Sequence, residues 1–185
     1  MKKRILSFML ALSVIFSICL IGAVNVSALP TPKTGTSSGT VNVYCLPDNT
    51  SSMRIGSIGA EGVSVYWAEG NSYYIEYNLS GTANSGKKRG YVPKSAITVS
   101  GTVGGINYTS RLAHTTSNTA VYNRNTDESL SIGTVYSTDT ITILQEDGDW
   151  YYIQYPTSGL DKRGYILKSA VSTGTTVTWN TYGNM

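Results

Sequence analysis

The 185-residue sequence predicts an all-β chain, two small SH3-like β-barrels in tandem behind an export leader. Three observations predict it. A block of roughly sixty residues occurs twice with its parts in the same order, the signature of a duplicated structural unit. Both copies alternate apolar and polar residues with a period of two and are rich in β-branched and aromatic side chains. Beyond the leader no stretch sustains a helical apolar period, so no helix longer than a turn is expected.

The leader occupies residues 1–28. Lys2, Lys3 and Arg4 form a positive start, residues 5–24 are apolar and uncharged, and Val26-Ser27-Ala28 supplies the small residues a signal peptidase reads. The apolar run approaches the roughly 20 residues that span a bilayer, so a retained anchor is the competing reading. The cleavage site and the Pro/Thr/Gly/Ser stretch after it favour removal, with Leu29 as the mature start and no membrane contact afterwards. Cys19 lacks the small preceding residue that lipid attachment requires. Three of the 14 basic residues leave with the leader, so 11 face 11 acidic residues and the mature chain is neutral. That balance gives no ground for nucleic-acid binding.

Residues 29–39 read as a flexible linker, 40–100 as the first module, 101–116 as a second linker, 117–174 as the second module and 175–185 as a tail carrying Trp179 and Tyr182. Val43-Tyr44 is matched by Val121-Tyr122, and Ile55-Gly56-Ser57-Ile58 by Ile132-Gly133-Thr134-Val135. Val63-Ser64-Val65 is matched by Ile141-Thr142-Ile143, and Tyr73-Tyr74-Ile75-Glu76-Tyr77 by Tyr151-Tyr152-Ile153-Gln154-Tyr155. The closing blocks, Lys88-Arg89-Gly90-Tyr91-Val92 and Lys162-Arg163-Gly164-Tyr165-Ile166, also agree. Each central hairpin is expected to turn over three residues, 69–71 and 147–149. In that register Val65 faces Ile75, Trp67 faces Tyr73 and Ile143 faces Ile153 toward the core. Tyr66, Tyr74, Leu144, Trp150 and Tyr152 then lie on the outward side.

These motifs resemble the bacterial SH3 (SH3b) family. Gly148-Asp149-Trp150-Tyr151-Tyr152-Ile153 resembles its Gly-x-Trp-x-x-Val strand, and Ile132-Gly133-Thr134-Val135 its central strand. Gly90-Tyr91-Val92-Pro93 and Gly164-Tyr165-Ile166 resemble its closing signature, and Asn123-Arg124 its opening. The resemblance implies partly open barrels of five to six strands. It also implies an extracytoplasmic role binding cell-wall peptidoglycan or its peptide bridges, often beside a wall hydrolase. Ser72 stands at the tryptophan position of the first copy. Ala96 and Ala170 stand where peptide-binding SH3 domains carry a groove tyrosine, which argues against a proline-rich ligand docked in their manner.

Outward aromatics are the candidate ligand contacts, because ring faces stack on C–H surfaces and exclude water. Trp150, Tyr152 and Tyr74 lead, and Tyr122 and Tyr44 border the same groove. Trp150 opposite Ser72 predicts that the second module binds more tightly. Tyr73, Tyr77, Tyr151 and Tyr155 are expected in the cores, with Tyr91 and Tyr165 structural. Lys87-Lys88-Arg89 and Lys162-Arg163 read as solvated loops, or as contacts to an anionic wall polymer. Glu146, Asp147 and Asp149 are candidates for gripping an amine.

No cofactor is implied. No metal-ligand spacing and no phosphate-binding fingerprint appears, and Cys45, the one cysteine of the mature chain, has only the distant His114 as a base. Cys45 therefore reads as a small buried hydrophobe. The expectation is a secreted or wall-associated, non-enzymatic binding protein. The alternatives are the targeting portion of a peptidoglycan hydrolase whose catalytic domain lies beyond Met185, and a protein-interaction or adhesion module.

Overall fold

The computed structural model describes residues 29–48, 53–79, 86–108, 110–126 and 129–176. The leader, and Trp179 and Tyr182 of the tail, lie outside the described residues. The chain is all-β and folds as two small barrels. The first contains β1 (Lys33–Ser37), β2 (Val41–Tyr44), β3 (Arg54–Ile58), β4 (Gly62–Glu69), β5 (Ser72–Asn78), β6 (Lys87–Pro93) and β7 (Ile97–Val99). The second contains β8 (Arg111–Thr115), β9 (Thr119–Tyr122), β10 (Ser131–Val135), β11 (Ile141–Asp147), β12 (Trp150–Tyr155), β13 (Lys162–Leu167) and β14 (Val171–Thr176). Single 3₁₀ turns, Lys94–Ala96 and Lys168–Ala170, join the last two strands of each.

Both sheets have the same order, β3-β2-β6-β5-β4-β1-β7 and β10-β9-β13-β12-β11-β8-β14. The sequence duplication is thus a duplication of topology. One face of each sheet carries its barrel core, as the period-two pattern requires. Val43, Ile58, Val63, Val65, Ile75, Tyr77, Val92 and Ile97 fill the first. Val121, Val135, Ile141, Ile143, Tyr151, Ile153, Tyr155 and Ile166 fill most of the second, closed by Ala113. Tyr77, Tyr151 and Tyr155 are buried as expected, and Tyr73 packs against the first core from a half-buried position.

Seven strands exceed the expected five to six because both expected linkers contribute one. Lys33–Ser37 pairs with β4 and β7, and Arg111–Thr115 pairs with β11 and β14. Sequence hides these strands for a physical reason. Their inward positions are Gly35 and Ser37 in β1 and Ala113 and Thr115 in β8, small residues that give no hydrophobic alternation. The second linker is also tied to the first barrel at Gly104, whose carbonyl accepts from the Ala68 N–H at 2.9 Å. The tail, too, begins late, since β14 runs to Thr176.

The central hairpins turn over two residues rather than three. Glu69 pairs with Ser72 and Asp147 with Trp150. Gly70 and Gly148 hold the first turn position at φ 53° and 58°, a left-handed conformation that a side chain would strain. A β-bulge restores the expected Val65–Ile75 and Ile143–Ile153 pairs further along. The extra residues are Tyr66 and Leu144. A bulge shifts the pleat by one position, and its effect here is to turn Trp67 away from the core and onto the outward face with Tyr74.

Gly90 and Gly164, the glycines of the closing motif, are fixed by close approach. A Cβ on Gly164 would lie 2.5 Å from Val121 Cγ1 and 2.9 Å from the Tyr122 carbonyl oxygen; one on Gly90 would lie 2.5 Å from Val43 Cγ1 and 2.9 Å from the Tyr44 oxygen. Strands β6 and β13 pass β2 and β9 at these points with no room for a methyl group. Gly164→Ala is therefore expected to destabilise the chain by about 1–3 kcal/mol, the usual cost of overpacking, read as a lower urea midpoint with an unchanged slope.

Candidate functional site

The outward faces of the two hairpins do not face solvent. They face each other. Trp67, Tyr74 and Tyr91 of the first barrel and Leu144, Trp150, Tyr152 and Tyr165 of the second form one buried cluster. Trp67 stacks on Tyr74 with centroids 4.1 Å apart and 18° between planes, and meets Tyr152 edge-on at 5.7 Å. Tyr74 and Tyr152 lie 5.6 Å apart across the boundary, and Tyr122 packs edge-on to Trp150 at 5.5 Å. Edge-to-face and offset contacts of this kind suit the ring quadrupoles, and they add to the area each ring removes from water.

This corrects the expected exposure of the candidate ligand contacts. Trp150, Tyr152 and Tyr74 are 8 %, 1 % and 4 % exposed, so the structure brings the three together as packing between modules. Tyr44 and Tyr122 are half-buried at the margin of the same cluster, paired in the sheets with Tyr91 and Tyr165. The pairing of Trp150 with Ser72 also changes meaning. Ser72 is fully buried and its hydroxyl donates to the Pro47 carbonyl at 2.8 Å, so the first module has no vacant platform for a tryptophan. Trp150→Ala is expected to cost about 3 kcal/mol of stability by truncating a buried ring, and Ser72→Trp to lower stability too. Thermal melts of both variants check this.

At the centre of the interface lie two arginines at equivalent positions. Arg89 Nε donates to Glu76 Oε2 at 3.0 Å within its own module, and Nη1 reaches across to the Tyr165 hydroxyl at 3.0 Å. Arg163 mirrors it. Nε donates to Gln154 Oε1 at 3.1 Å, and Nη1 crosses to the Tyr91 hydroxyl at 2.9 Å, the Tyr108 hydroxyl at 3.0 Å and the Glu69 carboxylate at 3.0 Å. Each arginine thus reaches the closing-motif tyrosine of the other barrel, the reciprocity of a two-fold contact. Both stand two residues before their own tyrosine on a strand and so share its face. The expected solvated loops are instead strand interiors, where Arg89 and Arg163 are buried.

Burial alone would push the Glu76 carboxyl up, but Arg89, Lys87 at 3.1 Å and Arg124 at 3.3 Å hold it below its ordinary 4.5. Its contribution to stability is therefore present above the ordinary carboxylate range and fades as pH falls through the lowered value. Burial raises the Tyr91 and Tyr152 phenols well above 10.0, so both remain neutral hydrogen-bonding groups at physiological pH. Glu146, one of the acidic candidates, is taken by Lys168 at 2.8 Å and by Arg111.

The symmetry breaks at one pair of matched positions. Asn123 clamps the backbone of Arg89, accepting its N–H at 2.5 Å and donating to its carbonyl at 2.9 Å. The matching residue of the first barrel is Cys45, which makes no such clamp. The thiol is buried and burial raises its pKa, against the smaller opposing effect of Lys162.

Beside these residues the two barrels leave a cleft of about 250 Å³. Lys88 and Lys162, at equivalent positions, both line it. Ile55, Leu130 and Ile132 supply apolar lining, and Cys45, Asn123, Tyr74 and Tyr152 line it as well. Among the described residues no aspartate or glutamate lines it. The arrangement offers positive charge beside apolar surface, which suits a small amphipathic anion. Sequence reasoning missed the cleft because its walls come from both copies. The repeated Lys-Arg-Gly-Tyr block was the one available signal.

No protein-family model matches the sequence, and no curated protein sequence matches it. Among solved structures, NlpC2 and NlpC1 of Trichomonas vaginalis are similar at 14 % identity and a TM-score of 0.32. The match covers 78 % of this chain in both cases, against 49 % and 47 % of theirs, so the chain spans about half the length of the structures it matches. At that TM-score the likeness establishes neither family nor activity.

Proposed function

We propose that this chain is an exported, non-catalytic binding protein whose paired SH3b-type barrels recognise cell-wall peptidoglycan or its peptides. The observation that carries the reading is the SH3b-like motif set, present twice in order and lying on two barrels of identical strand order. The leader supports export. The raised pKa of the buried Cys45 thiol supports a non-catalytic role, because the thiolate is the nucleophile.

Docking of the aromatic faces covers most of the ring surface and moves the ligand site toward surfaces that both barrels share. A preorganised pair also spends less binding energy on ordering than two flexibly linked modules would. Mature protein is expected to co-sediment with purified peptidoglycan and to leave a wall-containing gel uncleared. Protein that stays in the supernatant at all wall concentrations contradicts the binding reading, and clearing by pure protein contradicts the non-catalytic one.

A further inference from the structure

We infer that the cleft between the barrels binds a short peptide through its free C-terminal carboxylate; the choice of a peptide, rather than another small carboxylate, rests on the wall-binding reading above. Four cationic side chains line this cleft, and they fall into two kinds. Arg89 and Arg163 are committed to Glu76, Glu69, Gln154 and the tyrosine hydroxyls. Lys88 and Lys162 are half-buried and form no ion pair among the described residues. Two like charges held at one cleft, with no acidic residue among its described lining residues, leave a local positive potential that an anion relieves.

The walls decide which anion. Ile55, Ile132 and Leu130 are apolar, and Leu130 is 54 % exposed. A bare inorganic ion gains nothing from such surface, whereas a carboxylate on a small aliphatic residue places its charge by the lysines and its methyl group against the isoleucines. A volume of about 250 Å³ falls just below the ~300 Å³ at which pockets for drug-sized ligands begin, room for one or two small residues. The matched lysines come from different copies, so neither barrel alone supplies the site.

Calorimetric titration of the full mature chain with N-acetyl-D-alanyl-D-alanine, and with the same compound amidated at its C-terminus, tests the inference. The acid is expected to bind at least tenfold more tightly than the amide. Lys88→Gln combined with Lys162→Gln is expected to lose tenfold or more for the acid. Its melting temperature should stay close to that of the wild type, because neither lysine braces the fold. Equal binding of acid and amide, undiminished binding by the double variant, or displacement by equimolar inorganic phosphate would overturn it. Co-sedimentation with peptidoglycan, run on the same proteins, separates the two claims. A double variant that still pellets with wall but ignores the acid leaves the wall reading standing and removes the cleft. Wild-type protein that binds the acid but not the wall does the reverse.

Discussion

Arg163→Ala is expected to destabilise the protein by about 3–5 kcal/mol, because it leaves a buried carboxylate without its cation. The Arg163 side chain is 1 % exposed and that of Glu69 9 %. Removing the guanidinium also takes a donor from the Tyr91 and Tyr108 hydroxyls, which themselves bond Glu69. For a chain of this size the loss lowers the melting temperature by roughly 6–20 °C. Arg89→Ala is expected to cost less, since Glu76 keeps Lys87 and Arg124 within salt-bridge distance. Adding Glu69→Leu to Arg163→Met should recover part of the loss, because an apolar pair of similar volume leaves no unpaired charge. A melting temperature unmoved by Arg163→Ala, or a greater loss from Arg89→Ala, contradicts this account of the interface.

Alkaline pH is expected to unfold the protein through its tyrosines. Burial pushes Tyr77, Tyr155 and Tyr165 up to about 12 and raises Tyr74, Tyr91, Tyr108 and Tyr152 well above 10.0. These phenols hold their protons in the fold after the unfolded chain has begun to release them near 10. Their stabilisation is thus complete below pH 10 and is lost as pH climbs from there toward the folded values. Tyr165, fully buried and raised from 10.0 to about 12, by itself stands for about 3 kcal/mol, a sizeable part of the ~5–15 kcal/mol of an ordinary domain, and the other six phenols act in the same direction. Tyrosinate absorbance and far-ultraviolet circular dichroism should therefore change together, in one cooperative step. Smooth ionisation near pH 10 with intact sheet signal would show that these rings are not buried.

The duplication, the strand assignments and most of both cores were legible in the sequence, because Val63-Ser64-Val65 and Ile141-Thr142-Ile143 carry period-two alternation and the repeat cross-checks each strand. The bulges at Tyr66 and Leu144 were not. Alternation reports a face only while the pleat is unbroken, and one inserted residue moved Trp67 from the predicted core to the interface. Outward aromatics such as Trp150 and Tyr152 satisfy the same pattern whether a ligand or a second barrel covers them, so sequence parity found the face and missed its occupant. The arginines were misplaced for a related reason. Lys-Arg reads as a solvated turn until the strand partner is known, and here the partners of Arg89 and Arg163 in register are Glu76 and Gln154. Strands β1 and β8 escaped notice because small residues fill their inward positions.

Iodide quenching of tryptophan fluorescence in a Trp179→Phe variant tests most directly whether the two aromatic faces seal against each other. Trp67 is fully buried and Trp150 is 8 % exposed, one in each barrel, and both belong to the cluster between them. The account predicts blue-shifted emission and little quenching in the native protein, with full quenching after denaturation. Native tryptophans quenched as freely as in the denatured chain would contradict the docked interface and return both rings to solvent.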